Sequence, residues 1–202
     1  MMDHKNIQIN KDVDSFLNII SEAKSNCIYI AKGVHEEEFF KEIKKLYIPL
    51  YNDTSGKLIH SATSTLDIEP IRNFLVNAGT GKPSVLFINE PSIKDTTDKF
   101  NIYVRKRGEE IDPRVIKSIL GNSIDFYCSL EKDMLTGEYI IHIAQISYDT
   151  ALEELITTDV YRGEASLITT LSENKVKKFI RRGIAIERLT TWVSEDTIQN
   201  IK

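Results

Sequence analysis

Apolar residues recur at helical spacing from Val13 through Phe16, Leu17 and Ile20, behind an aspartate that can cap. The spacing predicts an amphipathic helix over residues 12–24. The run Cys27-Ile28-Tyr29-Ile30-Ala31 reads as a short buried strand closed by Gly33, and residues 35–45 read as a second helix with Phe39, Phe40 and Ile43 inward. Residues 47–51 (YIPLY) are predicted as an edge strand because they contain Pro49. After the turn chemistry of Asn52 to Gly56, residues 57–60 are expected to return as its hairpin partner. A third helix is predicted over 66–77, with Pro70 in its first turn and Gly79 at its end. The continuous apolar run Ser84 to Ile88 suits a central strand covered on both faces. Residues 90–98 read as polar loop and 100–104 as another strand.

In the second half, Asp112-Pro113 is an N-cap followed by a proline at the first helical position, and Gly121 stops that helix. Ile124, Phe126, Cys128 and Leu130 alternate with Asp125, Tyr127 and Ser129, the pattern of a half-buried strand. Tyr139 to Ile146 is apolar on both faces and reads as central. A helix over 150–158, a strand over 165–171, a helix over 172–182 and a strand over 184–191 complete an α-β-β-α-β-α-β order. The fold class expected is α+β (mixed α/β), with two consecutive modules, 1–108 and 109–202, meeting at the charged link 105–110.

Composition places the chain among ordinary globular proteins, with 41% hydrophobic and 28% charged residues. No apolar run approaches the roughly 18 residues a membrane span needs, and the N-terminus lacks the basic-then-apolar order of a secretory signal. Cys27 and Cys128 cannot build a disulfide framework, which fits a reducing compartment, so a cytoplasmic location and no membrane contact are expected. The net charge of −4 is spread evenly over both halves, without the basic domain of a dedicated nucleic-acid protein.

The segment Ile48-Pro49-Leu50-Tyr51-Asn52-Asp53, then Gly56, then Ala62-Thr63-Ser64-Thr65 before a helix, resembles the N-terminal half of the SseB-like (enhanced serine sensitivity) family. That family carries a Pro-hydrophobic strand, a Gly-containing turn and a Phe-Thr-Ser segment in this order; its Phe is Ala62 here. The second half is similar to the family's C-terminal half in its order of elements. The resemblance implies no catalytic residues, because the family has no agreed set.

Several motifs invite chemistry and fit structure better. Gly79-Thr80-Gly81-Lys82 lacks the earlier glycine of a phosphate loop, and Pro83 follows where a helix would have to open. His35-Glu36-Glu37-Glu38 places three acids in a first helical turn, where the helix dipole favours them, and Phe39 stands where a zinc helix needs its second histidine. Tyr161-Arg162-Gly163 is similar to the arginine strand of ADP-ribosyltransferases, but no Glu-x-Glu follows. Cys128 lies on the apolar side of its strand, where burial raises a thiol pKa, and His142 shares a face with Ile140, Ala144 and Ile146.

The most informative element is the helix 172–182. Val176, Phe179 and Ile180 form one stripe, and Lys175, Lys177, Lys178, Arg181 and Arg182 are expected on the other, solvated side. Lys175, Lys178, Arg182 and Arg105, with the polar side chains of His60, Ser61 and Thr63, form the candidate set for a small anionic or nucleotide-like ligand. No cofactor and no metal set are implied. The expected function is a non-catalytic binding or regulatory module acting through contact with a protein partner or by self-association. Anion binding, by an enzyme or a simple binder, is the alternative, and nucleic-acid binding through the basic helix is disfavoured by the acidic balance.

Overall fold

The computed structural model describes residues 11–33, 35–51, 58–63, 67–96, 112–132, 137–163 and 169–201. The charged link around Arg105, the strand expected at 100–104, the turn 52–56, and most of the strand expected at 165–171 lie outside the described residues.

The protein is a mixed α/β fold built on one six-stranded sheet. The strands are β1 (Cys27–Ala31), β2 (Ile59–Ala62), β3 (Val85–Asn89), β4 (Phe126–Lys132), β5 (Tyr139–Asp149) and β6 (Glu154–Arg162), in the order β2-β3-β1-β4-β5-β6. The first four run parallel, and β5 and β6 extend the sheet antiparallel. Residues of the two halves of the chain therefore share one sheet, because β1 pairs in register with β4, Cys27 opposite Phe126 and Ala31 opposite Leu130.

The helices are α1 (Lys11–Glu22), α2 (Glu36–Tyr51), α3 (Ile68–Gly79), α4 (Pro113–Ser123), α5 (Glu173–Arg181) and α6 (Glu195–Ile201), with a 3-10 helix over Ile186–Trp192. The side chains of α1, α2, α5 and the 3-10 helix pack on one face, over Tyr29, Phe87, Phe126 and Ile143. Those of α3 and α4 cover the other, over Ile30, Leu86, Tyr127 and Ile146. The connection leaving β1 moves toward β2 and carries α2 on the first face. Connections moving the opposite way carry α3 and α4 on the second, as one crossover hand requires.

Six expectations are corrected. The helix begun at Pro113 runs through Gly121 to Ser123, because Gly121 lets it lie against Ser147 and Tyr148, and residues 93–96 form a helical turn within the segment expected as loop. Residues 47–51 continue α2 rather than forming a strand; the β-branched and aromatic residues there express a local preference that the established helix overrides. Residues 59–62 pair parallel with β3, so there is no hairpin with 47–51. Residues 154–162 form β6 instead of a helix, because Ile156, Thr157, Thr158 and Val160 are β-branched and β5 offers them a ladder. Residues 186–192 form the 3-10 helix instead of a strand: Leu189 and Trp192 are buried, and three-residue spacing lines up one side of such a helix. β4 also differs in burial. Its polar positions are covered because it lies between β1 and β5 with layers on both faces.

Candidate functional site

The basic stripe of α5 is not solvated throughout. Lys175, expected among the exposed cations, is only 9% exposed. Lys175, Lys178 and Arg182 follow one another at i, i+3 and i+7, so they share a flank of the helix beside Val176 and Phe179 and face the sheet. There they meet Asp125, a buried acid absent from the candidate set. Lys175 Nζ donates to Asp125 Oδ1 at 3.0 Å and to the carbonyl of Ile124 at 3.2 Å. Lys178 Nζ donates to both carboxylate oxygens, at 2.6 and 2.7 Å. Arg182 Nη1 stands 3.9 Å from Oδ2 and donates to the carbonyls of Ala23 and Lys24, each at 2.9 Å.

Asp125 is in turn held by the amino end of β1. The Asn26 N–H donates to Oδ2 at 3.0 Å, the Asn26 side chain donates to the carbonyl of Ser123 at 2.7 Å, and its Oδ1 accepts from the Ser84 N–H at 2.8 Å. One buried polar network thus ties the starts of β1, β3 and β4 to α5. Burial alone would raise the Asp125 carboxyl; the two ammonium groups and the hydrogen bonds overcome it and hold the acid below its ordinary value. Burial pushes Lys175 down, against the pull of Asp125. Once the structure buries Asp125, its charge needs paired cations, and Lys175 and Lys178 supply them.

The other members of the candidate set lie elsewhere. His60 projects to the opposite face of the sheet, where its Nε2 is 3.3 Å from Asn77 Nδ2 and its ring meets Phe74 edge-on. Ser61 is exposed, and the Thr63 N–H donates to Asp67 Oδ2 at 3.2 Å. Arg105 lies outside the described residues. The α5 cations and His60 are therefore separated by the sheet.

A second charged set stands at the carboxyl end of β4. The connection leaving β1 returns across the sheet to β2, whereas β4 leads directly into its antiparallel neighbour β5. The Ser129 hydroxyl donates to Glu131 Oε1 at 2.7 Å, and the Ile93 N–H, from the segment after β3, donates to the same oxygen at 3.3 Å. His142 Nδ1 is 3.3 Å from Glu131 Oε1, and its Nε2 is 2.7 Å from Asp159 Oδ1. Arg162 Nη2 is 3.9 Å from Glu131 Oε2. An irregularity in the β5–β6 register brings these groups together. Arg162 is opposite His142, while the shift between Ile143 and Ala144 places Asp159 opposite Ala144. Without that bulge Asp159 and Arg162 would point to opposite faces. Nothing in the strand's residue pattern signals it.

Burial would lower the His142 pKa, but Glu131 and Asp159 outweigh it and raise the value. Burial would likewise raise Glu131, and His142 and Ser129 bring it below the ordinary carboxylate value. Among the described residues no group of three or more His, Cys, Asp or Glu is disposed to hold a metal ion.

The chain matches no known family model and no curated protein.

The remaining reactive groups are committed to the fold. Cys128 is buried, and burial, reinforced by neighbouring Cys27, pushes its thiol well up. The Ser129 hydroxyl donates to the Glu131 carboxylate. No helix among the described residues is long and apolar enough to cross a membrane.

The surface carries a different feature. Among the described residues, the large apolar side chains left exposed are Val76, Val115, Ile119 and Leu152, at 56%, 49%, 46% and 65%. Val115 and Ile119 are on α4, Val76 is on α3, and Leu152 is in the turn between β5 and β6. Val115 and Ile119 are one helical turn apart, and Ile119 lies against the end of α3 at Gly79, a turn beyond Val76. Leu152 precedes Glu153, which accepts from Arg114, the neighbour of Val115. Arg114 and Lys117 form ion pairs with Glu153 and Glu154 along the rim.

Proposed function

We propose that this protein is a non-catalytic binding module acting through protein contact, that the outer face of α4 is its contact surface, and that a second copy of the chain occupies it. The observation that carries the reading is the exposure of Val115 and Ile119 one turn apart on α4, with exposed Val76 on neighbouring α3 and exposed Leu152 in the turn between β5 and β6. Apolar side chains scattered singly need no explanation; a rimmed cluster marks an interaction site.

The rim favours a second copy. It holds Arg114 and Lys117 beside Glu153 and Glu154. A border of both signs is complementary to itself under a two-fold axis, which lets each cation face the partner's acid. The side chains are already about half covered, and full burial of one is worth about 1.5–3 kcal/mol, so closing four on each of two copies contributes about 6–12 kcal/mol. Association costs about 4–15 kcal/mol in lost freedom. The two are of similar size, which gives a reversible, concentration-dependent contact.

Sedimentation of the full chain over a concentration series tests this. The expected result is a dimer whose fraction rises with concentration and disappears in the double variant Val115→Asp, Ile119→Asp, with circular dichroism unchanged and a thermal midpoint equal to the parent's at concentrations where the parent is monomeric. A chain that stays monomeric throughout, or a double variant that dimerises as the parent does, overturns it.

A further inference from the structure

The imidazole of His142 touches carboxylate oxygens with both of its nitrogens, Glu131 Oε1 at 3.3 Å and Asp159 Oδ1 at 2.7 Å. An ionised carboxylate only accepts, so both nitrogens must donate, and only the doubly protonated ring does that. We propose that His142 is a proton-binding site that clasps β4, β6 and the segment after β3 together, and that loss of one proton opens the clasp on the Glu131 side.

The side that opens follows from geometry. A neutral ring keeps a single N–H, and the shorter bond to Asp159 retains it. Nδ1 then turns a lone pair toward Glu131 Oε1, so two acceptors face each other. That same oxygen receives the Ile93 N–H, at 3.3 Å, and the Ser129 hydroxyl. When Glu131 swings off the ring, the Ile93 N–H loses this hydrogen bond. Among the described residues, the charged groups that meet the ring or its carboxylate partners include Glu131 from β4 and Asp159 and Arg162 from β6; its neighbours along β5 on the same face, Ile140 and Ala144, are apolar. Arg162, 3.9 Å from Glu131 Oε2, gives the released carboxylate a cation to turn to. The raised pKa of His142 has the direction this arrangement requires.

Two measurements on the full chain test the clasp: imidazole nitrogen shifts, which report the ring's protonation, and amide hydrogen exchange at Ile93, corrected for its intrinsic pH dependence. The expected result is a doubly protonated ring that titrates above an ordinary histidine. Ile93 protection should fall over the same range by up to about tenfold per pH unit, the limit for one linked proton. Asp159→Asn, a change at a partly exposed site on the edge strand, should move both transitions to lower pH together. His142→Gln should leave Ile93 protection independent of pH over that range. A ring found neutral below the ordinary histidine value, or Ile93 protection that stays constant while His142 titrates, overturns the proposal.

Discussion

The backbone N–H of Asn26 donates to Oδ2 of Asp125 at 3.0 Å, joining residues 99 positions apart in the chain. Through this bond the amino ends of β1 and β4 share one buried carboxylate with α5. The same acid takes up Lys175 and Lys178, so its charge is compensated where water cannot reach. Removing it leaves two ammonium groups facing a neutral amide.

Asp125→Asn is therefore expected to destabilise the protein by about 3–5 kcal/mol, the usual cost of breaking a buried ion pair by deleting one member. Lys175→Met should cost less. It keeps the length of the stem while Lys178 and the Asn26 N–H still hold the carboxylate. Denaturant unfolding monitored by circular dichroism ranks the two variants. A Lys175→Met variant less stable than Asp125→Asn would show that the acid is not the centre of the network.

Little of this network was legible in the sequence, whereas much of the frame was. The first strand, the apolar run at 84–88, the Asp112-Pro113 helix start and the basic helix were readable because each carries its own signal: a run of buried type, a cap, or a helical stripe. β6 was not, since its residues choose a ladder only once β5 is beside them. Asp125 falls on the polar phase of an alternating strand, which suggests solvent. What covers it is a helix about 50 positions away, and no local pattern encodes that meeting. The Asp159–His142–Glu131 set was hidden for a different reason, because a bulge redirects Asp159 and bulges leave no periodic trace.

Stability should fall on both sides of a neutral plateau. Asp125 and Glu131 have lowered pKa values, so their contribution is present above the carboxyl values of the unfolded chain and is lost as pH falls through the folded ones. His142 is raised, so its contribution is complete below the unfolded histidine value and is lost as pH rises through the folded one. Urea midpoints measured between the ordinary histidine and thiol pKa values should show a decline with rising pH in the parent that is absent in His142→Gln. If both chains decline alike, the histidine is not its source.

Gly121 marks the closest approach of helix to sheet. A Cβ there would lie 2.7 Å from both Cβ and the backbone N of Tyr148, and 2.9 Å from the carbonyl carbon of Ser147. Backbone cannot yield as a flexible side chain does, so α4 would have to lift off β5. Gly121→Ala is expected to cost about 1–3 kcal/mol as overpacking, despite alanine's better helix propensity. Thermal unfolding measures it, and a variant as stable as the parent would mean that the helix and strand separate at little cost. Because Val115 and Ile119 ride on the same helix, the shift should also weaken the association proposed for that face.

The two thiols give a reporter for the whole sheet. Cys27 and Cys128 are both buried on β1 and β4, and burial holds Cys128 in the unreactive protonated form. A thiol reagent can reach it only after the helix layer over that face of the sheet opens, because the thiolate is the nucleophile and the face is covered. Labelling of the native chain should therefore be slow, and its rate should track global unfolding: a destabilised variant such as Asp125→Asn accelerates it in proportion to its loss of stability. Labelling that is fast in the parent, or unchanged in that variant, would place the opening at a local fluctuation and show that the helix layer and the sheet do not unfold as one unit.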